Sequence, residues 1–239
     1  MESPRPRRPD PAPERFRYER KFHVTDLTFR QVELLVRLHP AHFRTAYPPR
    51  FINNIYFDTP ALSDFVRHES GAENRSKIRL RWYGGERGRI EKPVLELKAK
   101  RGAVMHKPSL SLDPIFFDGR IDHESVKDSA RRRNADPAMT ERLACSPPAL
   151  FNRYQRRYFI SADNRFRLTL DTDLTFRTAG VRFCGSRTRV EVPHWVIVEL
   201  KYDPQYDGLA RKISDVFPFR LGKLSKYVSG ILHLSGWRE

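Results

Sequence analysis

Lys77, Arg79 and Arg81 alternate with Ile78, Leu80 and Trp82 in the stretch SKIRLRWYG, residues 76–84. A period of two is the pattern of a β-strand whose two faces differ. One face would carry three cations and the other three apolar groups. Cations at this spacing can hold and neutralise an anion of high charge, with arginine gripping phosphate oxygens through paired hydrogen bonds. A strand with one solvated face has the same alternation, so the pattern carries weight only if it recurs.

It recurs on several stretches. In VLELKAK (94–100), Glu96, Lys98 and Lys100 share a face with Val94, and Leu95, Leu97 and Ala99 lie opposite. In RFRLTLDTD (165–173), Arg165, Arg167, Thr169 and Asp171 oppose Phe166, Leu168 and Leu170. In VIVELKY (196–202), Glu199 and Lys201 oppose Val198, Leu200 and Tyr202. In RYERKFH (17–23), Glu19 and Lys21 oppose Tyr18, Arg20 and Phe22. Same-face neighbours lie about 7 Å apart. At an effective dielectric near 20, two like charges at that distance repel by about 2 kcal/mol. Scattered glutamates relieve part of that cost, and a polyanion relieves far more. A sheet curled shut with these faces inside would form a water-filled cationic tunnel, and its isolated glutamates would suit a hard divalent metal, Mg²⁺ or Mn²⁺.

The elements that must position these groups follow from pattern and punctuation. Strands are expected at 16–24, 50–60, 76–83, 93–101, 104–112, 149–160, 165–178, 187–192 and 195–203, with a hairpin turn at Gly102. Helices are expected after Asp26 or Thr25, after Thr59-Pro60, within 113–146, over 208–217 and in SKYVSGILHLSGW. Short turns between most strands favour antiparallel pairing. The fold class is therefore α+β, with about eight strands in an antiparallel sheet or barrel and helices at the periphery. Residues 1–15, rich in proline and arginine without an apolar core, read as a disordered tail, and 16–239 as a single domain.

The formal net charge of +16 calls for an anionic partner. No apolar run is long enough to span a membrane. The two cysteines, Cys145 and Cys184, support neither a disulfide framework nor a structural zinc site, which fits a reducing cytoplasm. Nucleic acid is not the expected partner, because few aromatics interleave with the cations and no nucleic-acid module is recognisable.

YERKF, INNIYFDT, KIRLRWY, LELKAK, YQRRYF, RLTLDTDL, VIVELKYD and GKLSKYVSG occur in the order expected of the VTC domain. Over about 18–235 the sequence resembles this polyphosphate polymerase branch of the triphosphate tunnel metalloenzymes, the superfamily that includes CYTH proteins. The resemblance implies an antiparallel eight-stranded β-barrel, or tunnel, with helices outside. It implies a metal-dependent transfer of the γ-phosphoryl group of ATP to a growing polyphosphate chain, with Mn²⁺ or Mg²⁺ as cofactor. Lys21 corresponds to the lysine of the first strand, Arg79 and Arg81 to the arginines of R-x-R, and Lys98 to the lysine of E-x-K. Lys107 corresponds to a lysine on the next strand, Arg156 to the arginine of Y-x-R, and Arg167 to that of R-x-T-x-D. Glu199 corresponds to the metal-binding glutamate of E-x-K, Lys201 follows two beyond it, and Lys223 and Lys226 match the lysines around SKY. By this resemblance Arg79, Arg81, Lys98, Arg167 and Lys226 are the catalytic set. Lys21, Lys107, Arg156, Lys201 and Lys223 bind phosphates. Glu199 holds the metal, with Glu96 and Glu19 as helpers.

Several points stay open in the sequence. A bulge would exchange Arg156 for Arg153 or Arg157 on the inner face. Lys77 is expected at the mouth or outside, and Tyr56 and Asp58 are expected to be structural. Arg17 stands where the wider superfamily's E-x-E-x-K has its first glutamate, which leans toward the polymerase branch. Eukaryotic members add an SPX domain and membrane segments that this sequence does not show. A separate membrane protein is therefore a candidate partner, at the inner face of a membrane. A tripolyphosphatase or nucleoside triphosphatase, and a non-catalytic binder of polyphosphate or inositol polyphosphate, remain alternatives to the polymerase.

Overall fold

Alternating residues produce twelve strands among the described residues. The computed structural model describes residues 18–102, 104–180 and 188–236, so the expected tail, Arg17 and Cys184 lie outside the described residues. In chain order the first half comprises β1 (Tyr18–Val24), α1 (Phe29–Leu38), β2 (Arg44–Phe57), α2 (Ser63–Glu69), β3 (Arg75–Tyr83), β4 (Gly88–Ile90), β5 (Val94–Arg101), β6 (Val104–His106), β7 (Ser109–Ser111) and β8 (Ile115–Phe117). Then follow α3 (His123–Arg132), α4 (Pro137–Cys145), β9 (Pro148–Ile160), β10 (Arg167–Thr178), β11 (Arg189–Val192), β12 (Val196–Tyr202), α5 (Asp207–Val216) and α6 (Lys226–Ser235).

Ten strands make one antiparallel sheet in the order β1-β12-β10-β9-β2-β3-β5-β6, with β11 beside β10 and β7 beside β5. This corrects the expectation of a closed eight-stranded barrel: β1 and β6 end the path, and no ladder joins them among the described residues. The reason lies in β5, whose outer edge is taken by β6 at residues 99–101 and by β7 at 94–96, leaving nothing for β1 to pair with. The chain leading into α6 covers the seam on the β1 side. Phe22 bridges Leu221, the Gly222 N–H donates to the Lys21 carbonyl at 2.9 Å, and Lys77 Nζ donates to Ser225 Oγ at 2.6 Å.

The apolar faces pack outward against helices. Phe22, Phe159, Leu168 and Leu200 meet Val32 and Val36 of α1, and Ala210 of α5. Ile78, Leu80, Trp82 and Leu97 meet Val126 of α3 and Leu143 of α4. The inner face is divided. Part of it is charged, and part is an apolar floor of Ile52, Tyr56, Leu150, Tyr154 and Phe176 onto which α6 lays Tyr227 and Ile231.

Local chemistry moved several element ends. Helix α1 is capped by Thr28, not Thr25 or Asp26, because Gln31 three residues on accepts from the Thr28 N–H at 2.8 Å and completes a capping box. Helix α2 starts at Ser63, later than Thr59-Pro60 suggests, because the buried Asp58 carboxylate accepts the N–H groups of Asp64 and Phe65, each at 2.9 Å. The same carboxylate accepts from Tyr227 Oη at 2.5 Å, so Asp58 is structural as expected and ties α6 to α2. Strand β2 begins at Arg44 and takes up Pro48-Pro49 in register shifts between Thr45 and Arg50. The stretch 104–112 splits into β6 and β7 around Pro108, which has no N–H for a ladder.

Candidate functional site

Residues from both ends of the sheet path, Glu19 and Lys21 of β1 and Met105 of β6, line one cavity of about 1070 Å³, so the sheet wraps around it. Eleven lysines and arginines and four glutamates face this space. Eleven of the thirteen side chains expected at the site are among them: Lys21, Arg79, Arg81, Lys98, Arg156, Lys201, Lys223 and Lys226, with Glu19, Glu96 and Glu199. The other two are placed elsewhere. Arg167 is exposed at the start of β10, opposite Lys201 in register but not lining the cavity, and Lys107 is exposed in the connection between β6 and β7.

Register builds three ion-pair groups. In β9 and β10, Arg156 lies opposite Asp171 and holds both carboxylate oxygens, Nε to Oδ1 at 2.5 Å and Nη2 to Oδ2 at 2.6 Å. Lys226 at the start of α6 reaches the same carboxylate at 2.6 Å. Both cations also touch Glu199, at 3.3 and 3.5 Å. Arg153 and Arg157 point the other way, to Glu86 and Glu33, so Arg156 is the inward arginine of β9.

The second group joins β1 to β12, which pair Glu19 with Lys201 and Lys21 with Glu199. Lys21 sits 2.8 Å from Glu19 and 3.6 Å from Glu199, and Lys201 sits 3.2 Å from Glu199 and 3.6 Å from Glu19. The third joins β3 to β5. Glu96 accepts Arg79 Nε at 2.6 Å and lies 2.9 Å from Arg81, and Arg79 also donates to Tyr56 Oη at 3.4 Å.

Burial pushes the Glu199 carboxyl up, but Lys226, Arg156, Lys201 and Lys21 outweigh it and hold the group well below the usual carboxylate range. Glu96 is lowered in the same way by Arg79 and Arg81 against burial. Glu19 is lowered too, because Lys201 and Lys21 outweigh burial and the repulsion of Glu199. These carboxylates are therefore charged, and each is committed to cations.

The remaining cations are not matched. Among the described residues Arg75, Lys77, Lys98, Lys100 and Lys223 have no carboxylate within ion-pair distance, although all five face the cavity. Burial, followed by neighbouring cations, lowers the Lys77 ammonium to about 7 and the Lys98 ammonium to about 8. Lys77 thus lies inside, correcting its expected place at the mouth or beyond. Arg75, Lys100 and Tyr154 also line the cavity without having been named as site residues, and Tyr56, expected to be structural, lines it too. Their signal was present for Lys77, Lys100 and Arg75, which share the alternating face of the expected residues.

The donor set limits what metal fits. No cluster of three or more His, Cys, Asp or Glu suited to a metal exists among the described residues. Glu199 and Glu19 share Lys21 and Lys201, whereas Glu96 stands with Arg79 and Arg81. A site completed by protein ligands alone does not fit. Mg²⁺ or Mn²⁺ held by one or two carboxylates, with substrate phosphates and water completing the shell, does.

A second cavity of about 600 Å³ lies between β8 and α3, outside the sheet, and its acids are already used. Asp113 pairs with Arg132 and Arg133, and Asp122 caps α3. No helix among the described residues is long and apolar enough to cross a membrane.

Comparison with known proteins gives a family match described as VTC domain over residues 16–235. The structure is similar to the PH1819 protein from Pyrococcus horikoshii OT3, at 12% identity and a TM-score of 0.49, covering 91% of this chain and 98% of that one. It is also similar to a Bacillus halodurans protein described as a candidate adenylate cyclase, at 16% identity and a TM-score of 0.47, covering 87% of this chain and 92% of that one. Comparison with functionally curated proteins gives no match.

Proposed function

This chain belongs to the VTC domain family, and on that premise we propose that it is a metal-dependent polyphosphate polymerase that moves the γ-phosphoryl group of ATP onto a polyphosphate chain in the cavity. Membership itself supports a function related to polyphosphate or triphosphate. The observation that carries the finer reading is the gathering of eleven cations and four carboxylates around one cavity, with the central carboxylates already neutralised. Bringing a triphosphate against a phosphate chain means overcoming repulsion between two polyanions. Phosphoryl transfer asks for that neutralisation and for alignment more than for a covalent nucleophile.

The attacking group is a terminal phosphate oxygen of the chain, already an anion. It forms a bond to the γ-phosphorus while the bond from that phosphorus to the β,γ-bridging oxygen breaks, and ADP leaves with the electron pair. No proton has to be abstracted. This suits a site in which Glu19, Glu96 and Glu199 are all ion-paired and none is poised as a base for water. In this reading Arg79 and Arg81 grip the transferring phosphates, held in place by Glu96. Lys21, Lys201, Lys223 and Lys226 neutralise the donor, and Lys98 and Lys100 carry the chain. A divalent cation held by Glu199, with Glu19 beside it, would neutralise charge developing on the leaving diphosphate. The proposed surroundings are cytoplasmic, with a separate membrane protein as a candidate recipient of the chain.

The test is a product balance. Purified protein is supplied with ATP and Mn²⁺ or Mg²⁺, and ADP, orthophosphate and polyphosphate are quantified. ADP matched by polymer supports the polymerase. ADP matched by orthophosphate makes the protein a triphosphatase, and binding without turnover makes it a polyphosphate-binding module.

A further inference from the structure

The two ends of the cavity differ in chemistry. Along β3 the side chains facing it are Arg75, Lys77, Arg79 and Arg81, and the next on that face is Tyr83. Past Arg81 the cations meet aromatic rings instead of carboxylates. The Arg81 guanidinium lies 5.3 Å from the Tyr83 ring centroid. The Arg50 guanidinium lies 5.1 Å from Tyr83, 4.9 Å from Tyr158 and 5.8 Å from Tyr47. Tyr47 and Tyr158 meet edge to face at 5.8 Å. In β2 and β9, Arg50 lies opposite Arg156 and Tyr47 opposite Tyr158, so the cluster continues the cavity face beyond Arg156.

Three features mark this cluster as a place for a ligand. Tyr47 and Tyr83 stay 60% and 43% exposed, whereas rings packed only to stiffen β2 would be covered. Arg50 is exposed and, among the described residues, has no carboxylate within ion-pair distance. Arg81 Nε, at the junction with the cavity, is buried without a hydrogen-bond partner. The opposite end, around Arg75, Lys100 and Met105, offers cations and no tyrosine, tryptophan or phenylalanine.

Partly exposed rings beside a guanidinium plane stack flat heteroaromatic rings and are tolerant of which one. An inorganic phosphate chain has no π-face and gains nothing from them. We propose that Tyr83, Tyr158 and Arg50, with Tyr47 behind them, form a nucleobase platform at this mouth. A nucleoside triphosphate then lies with its base on the platform and its phosphates directed inward past Arg81, and the phosphate chain extends toward Lys98 and Lys100 at the other mouth. Tyr83 and Arg79 are about 13 Å apart along an extended strand, which accommodates a ribose and the first phosphates. The inference rests on the reading of the cavity as a triphosphate site.

Titration calorimetry with two ligands separates the two ideas. The full chain and its Tyr83→Ala, Tyr158→Ala and Tyr83→Phe variants are titrated with ATP and with inorganic tripolyphosphate, both with Mg²⁺. The expected result is an ATP affinity about 10-fold weaker in each alanine variant and retained in Tyr83→Phe. Tripolyphosphate affinity stays at the wild-type value throughout, which also reports that the variants are folded. Equal weakening for both ligands, or no change for ATP, would overturn the platform and leave the cluster a structural seam. A wild-type protein that binds no tripolyphosphate would overturn the triphosphate reading of the cavity and the platform with it.

Discussion

Replacing Asp171 with asparagine should make the protein less stable and a tighter anion binder at the same time. Asp171 is fully buried, receives Arg156 through both oxygens at 2.5 and 2.6 Å, and receives Lys226 at 2.6 Å. Asparagine keeps the volume and removes the charge, leaving two inward cations to share Glu199 at 3.3 and 3.5 Å. Breaking a buried ion pair costs about 3–5 kcal/mol. Because Glu199 remains, the lower end applies, and about 3 kcal/mol in a chain of this size lowers the melting temperature by about 6–12 °C. The lost negative charge also raises the potential in the cavity. A phosphate charge about 7 Å away, at an effective dielectric near 20, gains about 2 kcal/mol, or roughly 30-fold in affinity. Mass action links the effects, so tripolyphosphate should recover more melting temperature in the variant than in the wild type. Scanning fluorimetry across a tripolyphosphate titration measures both. A variant that melts with the wild type, or gains no more from the ligand, would refute the view that this carboxylate holds the cavity's cations in place of a bound anion.

Arg79→Ala and Glu199→Gln should each lower polymer formation by about 100-fold with the far-ultraviolet circular dichroism unchanged, and wild-type turnover in both would remove the cavity from the chemistry. Raising the pH from about 6 to 9 should weaken tripolyphosphate binding, because Lys77 and Lys98 lose their charges near 7 and 8. Binding at pH 8 should take up protons, seen as a calorimetric enthalpy that varies with the buffer's ionisation enthalpy. The sign for stability is opposite: unfolded lysines titrate near 10.4 and still hold protons the folded ones have released, so over that window these two lysines favour the unbound fold as pH rises. Gly230→Ala in α6 should destabilise by about 1–3 kcal/mol, since a Cβ there would lie 2.6 Å from Phe176 and 2.7 Å from Leu150. Gly208→Ala in α5, where no atom lies within 4 Å, should instead stabilise by about 0.5–1 kcal/mol, and chemical denaturation of both variants checks the contrast.

The inward face of each charged strand was legible without coordinates. Alternation in 76–83, 94–100 and 196–202 separated Arg79, Lys98 and Glu199 from Leu80, Leu97 and Val198, and the structure keeps that division. A strand's side-chain direction is a property of its own backbone, so period and sequence suffice. Three of the motifs that resemble the VTC domain, KIRLRWY, LELKAK and VIVELKYD, lie on these strands, and the resemblance matches the family found over 16–235. Helix existence was legible for the same local reason, while the starts of α1 and α2 depended on single side chains, Gln31 and Asp58, reaching back to backbone amides.

Tertiary structure decided the rest, because the rest depends on pairs distant in sequence. Arg156 was separable from Arg153 and Arg157 only through the register that sets it opposite Asp171, with the shift in β10 falling later, between Thr172 and Thr175. Lys77 is inside because Ser225, 148 residues further on, meets it. Lys107 left the site when Pro108 broke its strand, and Arg167 lies where β10 begins, short of the cavity. The open seam follows from β5 filling its own edge with β6 and β7. Alternation along one strand tells which groups face inward. Register, bulges and edge pairing determine which groups then meet across the cavity, and those are set by contacts that no short stretch of sequence contains.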